Sequence, residues 1–181
     1  QYLKNIISVR DVLVWGRGNE QVNRYKTAME AHGFHIETTR DTSEILRTCN
    51  LIVTTTPALK PLLQARDLQP GTHITAVGSD TPQKQELDEA ILAQADAVVV
   101  DSIAQCLERG ETRHAIKAGQ IHKNTLIELG NVIQGKTKAR TADSQITVAD
   151  LTGVAVNRYD KNKSSWSHDC IAACVMSDST P

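Results

Sequence analysis

The sequence predicts an α/β fold, a parallel sheet with helices on both faces. Two observations carry this. Short, near-continuous apolar runs recur at 11–15, 51–55, 73–77 and 97–100, as strands buried on both faces require. Between them lie stretches with helical spacing bounded by turn residues, and that alternation is the pattern of βαβ units. At 181 residues the chain is long enough for one domain with a real core and too short for two ordinary ones.

Taken in order, the first strand, 11–15, closes on Gly16-Arg17-Gly18-Asn19, a turn from which Asn19 is placed to cap a helix. That helix carries Val22, Tyr25, Ala28 and Met29 on one face and stops near Gly33. A second strand follows at 34–38, then Asp41-Thr-Ser-Glu44 in capping-box order opens a short helix holding Ile45 and Leu46. The third strand, 51–55, runs into Thr56-Pro57, and Pro70-Gly71 turns the chain into the fourth, 73–77. The spacing then predicts a helix over 86–95, a fifth strand over 97–100, helices over 102–109 and 111–118, a further helix over 125–132 and a late strand over 145–149.

From Asn157 the composition turns polar, and the apolar island 171–176 stands alone, so residues 157–181 are expected to be a poorly packed tail. At the other end, Gln1 is not a start methionine, while Tyr2, Leu3, Ile6 and Ile7 have helical spacing. The chain is therefore expected to begin inside an element, as a fragment would.

Charge and composition narrow the partners. Twenty basic against 21 acidic residues give a formal charge of −1, and two Trp, three Tyr and one Phe leave little to stack on bases, so nucleic acid is not expected. No apolar run approaches the roughly 20 residues that cross a bilayer, so a cytoplasmic protein without a membrane partner is expected. Cys49, Cys106, Cys170 and Cys174 form no C-x-x-C pair and are read as free thiols with no metal.

Chemistry is expected where strands end, because ligands of open α/β sheets bind outside the carboxyl ends. After the first strand, Gly16-Arg17 with Asn19 nearby stands where dinucleotide folds hold the adenosine ribose; an arginine there accommodates a 2′-phosphate, which favours NADP(H) over NAD(H). Thr56, the last of three threonines and just before a proline, is placed to bond a ribose or pyrophosphate, or is merely a turn. The stretch 71–88, GTHITAVGSDTPQKQELD, ends its strand in Gly78 and then presents Asp80 and Lys84. Asp80 has the chemistry of a proton shuttle near an imine or amine, and Lys84 that of a phosphate ligand or of the carboxylate's partner; Asp80 as a helix cap is equally compatible with the spacing. Arg10, His114, Glu111, Arg113 and the basic run 136–140 are read as solvated or helix-start charges without a role.

VWGR at 14–17, IVTTTP at 52–57, the 68–88 block, DSIAQCLERGE at 101–111 and SQITVADLTGVAV at 144–156 together resemble the ornithine cyclodeaminase/mu-crystallin family, in family order over about 1–156. The resemblance implies a Rossmann-like nucleotide-binding domain over 1–156, in the family paired with a substrate and dimerisation domain. It implies an amino or imino acid as the small-molecule partner, and a homodimer for the intact protein. The activities it implies are ornithine cyclodeamination, alanine dehydrogenation or reduction of ketimines such as pyrroline-2-carboxylate; binding of NADPH and small ligands without turnover, as in mu-crystallin, is the alternative. It places Asp80 on the catalytic acid, Thr56, Val77, Gly78 and Lys84 on nucleotide-contacting positions, and Leu151 and Thr152 where a late loop approaches nicotinamide and substrate. The family's first strand, its glycine-rich phosphate loop and the upstream basic residues that grip the substrate carboxylate are expected to precede Gln1. The loss of resemblance near 157 is expected to reflect a truncated gene product or a shifted reading frame. Without the phosphate loop, this chain is expected to bind dinucleotide weakly and to be inactive alone.

Overall fold

The computed structural model describes residues 8–153 and the strand 172–176. Ten strands and six α-helices are described: β1 Asp11–Trp15, α1 Asn19–Glu30, β2 His35–Thr39, α2 Thr42–Thr48, β3 Cys49–Thr54, β4 Leu59–Leu63, β5 His73–Ala76, β6 Gln85–Leu87, α3 Glu89–Gln94, β7 Ala97–Val100, α4 Ile103–Cys106, α5 Glu111–Lys117, β8 Leu126–Glu128, α6 Leu129–Ile133, β9 Thr147–Asp150 and β10 Ala172–Met176. The expected helical turn at residues 2–7 lies outside the described residues.

Eight strands make one sheet in the order β2-β1-β10-β3-β5-β9-β7-β8, and β4 with β6 makes a small second one. Every pair in the large sheet is parallel except those of β10, which runs antiparallel to both β1 and β3. From β1 the chain winds outward to β2 and then crosses back past β1 to β3. β10 therefore lies at the switch point of the sheet. Of the stretch 157–181, expected as a loose tail, the described part is thus a strand hydrogen-bonded on both sides at the centre of the fold.

Side chains leave a strand on alternate faces, and here both faces are covered. Val12 and Val14 of β1 pack with Phe34 and Ile36 against Val22 of α1, with Tyr25 and Met29 along the same helix face. Leu13 points the other way, into the larger cluster with Ile45 and Leu46 of α2, Ile52, Ile74, Val100 and Val148 of the sheet, and Ile91 and Leu92 of α3. Each such fully buried aliphatic side chain contributes roughly 1.5–3 kcal/mol of transfer free energy, so this two-faced burial is the main term holding the layers together.

The expected strands at 11–15, 97–100 and, within two residues, at 34–38, 51–55, 73–77 and 145–149 form. Asn19 is the first residue of α1 rather than its cap; Gly18 holds the cap position with no side-chain bond. At α2, Asp41 caps through its carboxylate to the Ser43 amide at 2.9 Å, but Glu44 accepts from the Thr39 hydroxyl instead of closing the capping box.

Two expected helices are corrected. Gln85–Leu87 is strand β6, and the helix begins only at Glu89, capped by Asp88 accepting from the Ala90 amide at 2.9 Å. Leu126–Glu128 is β8, because pairing beside β7 overrides the local helical spacing.

Candidate active site

Parallel pairing in one register puts the ends of distant strands in a single row. Thr39, Trp15, Ala172, Thr54, Ala76, Asp150, Val100 and Glu128 are successive partners across the sheet. The residue after each parallel strand therefore emerges on the same rim: Arg40, Gly16, Thr55, Val77, Leu151, Asp101 and Leu129. Main-chain bonds continue the row outward, with the Val77 amide donating to Thr54 O at 2.9 Å and the Leu151 amide to Ala76 O at 2.8 Å. The positions singled out in the sequence at Gly16, Arg17, Thr56, Val77, Gly78, Asp80, Lys84, Leu151 and Thr152 all belong to this rim or its loops.

Asp80 stands on the loop leaving β5. No helix follows it, so its alternative as a cap is removed. Its carboxylate instead takes the Lys84 ammonium, Nζ to Oδ1, at 2.6 Å, with the Asp80 side chain 51% exposed and that of Lys84 22%. The loop is gripped from α5, where Arg113 Nη1 donates to Pro82 O at 2.9 Å and His114 Nε2 to Lys84 O at 3.0 Å. Arg113 and His114, read in the sequence as charges without a role, thus hold the loop that carries Asp80.

Beneath the loop lie three buried carboxyl groups, Glu86, Glu111 and Asp150. Glu86 accepts from the Thr54 hydroxyl at 2.7 Å, from the Gly78 amide at 2.9 Å and from the Thr56 amide. Glu111 accepts from the Ser79 hydroxyl, the Glu86 amide at 2.9 Å and the Leu87 amide at 3.0 Å. Asp150 accepts from the Thr112 amide at 2.7 Å, at the start of α5.

Burial pushes the Glu111 carboxyl up to about 8, and the nearby Asp150 charge adds to this against the bonds from Ser79, Glu86 and Leu87. Burial likewise raises Asp150 to about 6, offset by bonds from Thr112. Two glycines exist to make room for these groups. A Cβ on Gly78 would lie 2.2 Å from Thr56 O and 2.6 Å from the Glu86 carboxyl, and one on Gly110, whose φ is +88°, would lie 2.7 Å from Asp150 Oδ2.

At the far end of the rim Arg17 and Asn19 are exposed. Arg40 joins them, its Nη1 donating to Gly16 O at 3.1 Å, which brings a second guanidinium to the same turn. Thr56 is buried and its hydroxyl accepts from the Ala58 amide at 3.3 Å, a turn-closing bond. Val77 is 40% exposed, an apolar side chain facing the open rim. Thr152 differs from the rest: it is buried, and its hydroxyl donates to Asp101 Oδ1 at 3.3 Å, which ties the late loop to the end of β7. Leu151 beside it is partly exposed.

Cys106 is free and buried, its thiol pushed up to about 12 mainly by burial and then by Asp150. Cys49 is disulfide-bonded, which corrects the reading of four free thiols. Among the described residues no group of three or more His, Cys, Asp or Glu side chains is arranged to hold a metal ion, and no helix is long and apolar enough to cross a membrane.

The sequence missed Glu86, Glu111, Asp150 and Arg40. Their signal was weak, since each reads locally as an ordinary helix or turn charge, and only their near-complete burial or their bonds to distant turns mark them. The rim combines an acid and an ammonium beside the exposed Val77 side chain, with two guanidinium groups at its other end. That set of groups is suited to an elongated, partly apolar anionic ligand with a proton-transfer step at one end.

The chain is similar in sequence and fold to known proteins. An uncharacterised cyclodeaminase of Sinorhizobium fredii is 41% identical over 150 residues, covering 82% of this chain and 45% of the relative. An archaeal alanine dehydrogenase dimer with bound NAD superposes with a TM-score of 0.79 at 34% identity, covering 85% of this chain and 48% of that one. The iminosuccinate reductase of Paracoccus denitrificans in complex with NAD+ gives 0.77 at 34% identity, covering 83% and 46%. The fold is thus Rossmann-like, and the chain spans about half the length of the relatives it matches. With the family model matching residues 1–163, the chain belongs to the ornithine cyclodeaminase/mu-crystallin family.

Proposed function

We propose that this chain carries the nucleotide-binding half of a nicotinamide-dependent oxidoreductase or cyclodeaminase acting on the carbon–nitrogen bond of an amino or imino acid, with Asp80 as the proton relay. The single observation behind this reading is the Asp80–Lys84 pair on the loop after β5, three residues beyond the exposed Val77 and on the same rim as Arg17. The dinucleotide would lie along that rim, its adenosine ribose toward Arg17, Arg40 and Asn19 and its nicotinamide end toward Val77, Gly78 and Leu151. When bound it supplies or accepts hydride at the carbon of the substrate's carbon–nitrogen bond. Asp80 moves the accompanying proton at the nitrogen, and the Lys84 ammonium stabilises the carboxylate that remains. Lys84 would hold the nucleotide as well, with its charge serving both groups.

Two guanidinium groups at the Gly16 turn favour NADP(H) over NAD(H), because a 2′-phosphate needs cationic donors where a bare ribose is matched by a carboxylate. A ketimine such as pyrroline-2-carboxylate is the favoured substrate class, ahead of ornithine. The intact protein would be a homodimer.

The alternative of a chain that is inactive on its own is favoured by one observation. At the switch point a parallel strand would lead at this rim into a loop and a helix N-terminus able to hold pyrophosphate, whereas β10 runs the opposite way. The chain on its own therefore binds dinucleotide weakly. The test is an NMR titration of this chain with NADPH and NADH, followed, on the intact protein, by assay of NADPH oxidation with pyrroline-2-carboxylate against NAD-dependent ammonia release from ornithine. Shifts at Arg17, Val77 and Gly78 that saturate at lower NADPH than NADH are expected. No shift at these residues with either nucleotide at millimolar concentration would count against the reading, and submicromolar NADPH affinity by calorimetry would contradict the weak binding of the chain on its own.

A further inference from the structure

Glu86 and Glu111 are two of the most deeply buried polar side chains in the protein, at 0% and 1% exposure, and the proton relay uses neither. Six donors converge on them. Glu86 gathers the Thr54 hydroxyl and the Thr56 amide from the end of β3 and the Gly78 amide from the end of β5. Glu111, opening α5, gathers the amides of Glu86 and Leu87 and the hydroxyl of Ser79, the residue before Asp80. One continuous hydrogen-bonded chain therefore runs from α5 through β6 to the two strand ends that flank the rim.

We propose that Glu86 and Glu111 act together as positioning residues, locking the turns after β3 and β5 into one preformed rim so that Val77, Gly78 and Asp80 present a fixed edge to the nicotinamide end of the ligand. This rests on the functional reading above. At Glu86 the chemistry selects a carboxylate. Every group facing it donates, and a carboxylate accepts at both oxygens, whereas a glutamine would turn its own N–H toward an N–H or O–H donor. Turning the Thr56 and Gly78 amides inward also decides what the rim shows outward: the exposed Thr55 and the exposed side chain of Val77. Gly78 is part of the same device, since a side chain there would displace the Glu86 carboxyl. Preorganisation of this kind removes the ordering cost that a ligand would otherwise meet on binding.

The test compares the wild-type chain with Glu86→Gln and Glu86→Asp by amide hydrogen exchange and by NADPH titration, both read by NMR well below each variant's melting temperature. For Glu86→Gln, exchange at Thr56 and Gly78 should rise about a hundredfold while the Ile74 amide inside β5 stays protected, and NADPH should bind about tenfold more weakly. Glu86→Asp, which keeps the charge and loses one methylene, should recover part of both. A purely structural role predicts a lower melting temperature with unchanged NADPH affinity of the folded protein.

Should Glu86→Gln fail to fold, Thr54→Val removes one donor while keeping shape and should give the same pattern at smaller size. A wild-type chain without NADPH-induced shifts overturns the functional reading. A wild-type chain that shifts, with Glu86→Gln binding equally and its Thr56 and Gly78 amides still protected, overturns the positioning role alone.

Discussion

Lys84 Nζ lies 2.6 Å from Asp80 Oδ1, so the acid and the cation that the sequence presents four residues apart are a bonded pair on one loop. The pair is half open to solvent, and such pairs contribute no more than about 1 kcal/mol to stability. Asp80→Asn should therefore leave the thermal midpoint within a few degrees while lowering turnover of the intact enzyme by roughly 10²–10⁴-fold, the usual worth of a positioned proton donor. Steady-state kinetics beside a thermal melt checks this, and unchanged turnover would remove Asp80 from the mechanism.

Cofactor choice should be set at the Gly16 turn. Arg17→Glu is expected to weaken NADPH by at least about tenfold through the loss of one charge-assisted contact and the gain of a repulsive one, with NADH affected little. Arg40→Ala should weaken NADPH as well, by less, since its guanidinium is already engaged with Gly16 O. Parallel titrations with the two nucleotides read both effects, and equal losses for NADH and NADPH would place the 2′-phosphate elsewhere.

The buried acids make stability depend on pH. Glu111 rises from 4.5 to about 8 on folding and Asp150 from 3.8 to about 6, so the folded protein holds protons that the unfolded chain releases. Their contribution is therefore fully present below the unfolded values and is lost as pH rises, through about 6 for Asp150 and about 8 for Glu111, at up to about 1.4 kcal/mol per pH unit for each group. The melting temperature should fall by several degrees between pH 5 and pH 8, and Glu111→Gln should flatten the part between pH 6 and pH 8. A melting temperature that climbs over this range would contradict the assignment.

Gly78→Ala should be among the most damaging single-methyl additions in the chain. The added carbon would meet Thr56 O at 2.2 Å and the Glu86 carboxyl at 2.6 Å, so backbone has to move, at a cost of roughly 1–3 kcal/mol or more. A urea titration measures it; a loss below half a kcal/mol would mean that the rim is softer than its geometry shows.

Val175→Pro tests the place of β10. Val175 pairs with Val12 on one side and Leu51 on the other, and proline in a strand paired on both sides removes a ladder bond and clashes with the pleat. Loss of the cooperative melt, or a large drop in its midpoint, is expected by circular dichroism. A melt indistinguishable from wild type would show that the sheet does not depend on this strand.

By itself the sequence determined the local facts. Apolar runs with β-branched residues form strands wherever burial on both faces rewards them, and the faces of α1 and α2 follow helical spacing, so the α/β class and most strand positions could be read from it. It also marked Asp80, Lys84 and Arg17, because a glycine-ended strand followed by charge is a local pattern. The tertiary structure alone decided what depends on pairing between distant segments. Gln85–Leu87 and Leu126–Glu128 became strands because neighbours were there to bond them. Ala172–Met176 took the centre of the sheet between strands more than 100 residues away in the chain. Glu86 and Glu111 became buried acceptors of main-chain and hydroxyl donors that come in part from 24 to 32 residues away. The physical reason is common to all of these. Propensity and spacing act over a few residues, whereas a buried carboxylate or an inserted strand is defined by donors and partners that only the folded chain brings within hydrogen-bonding distance.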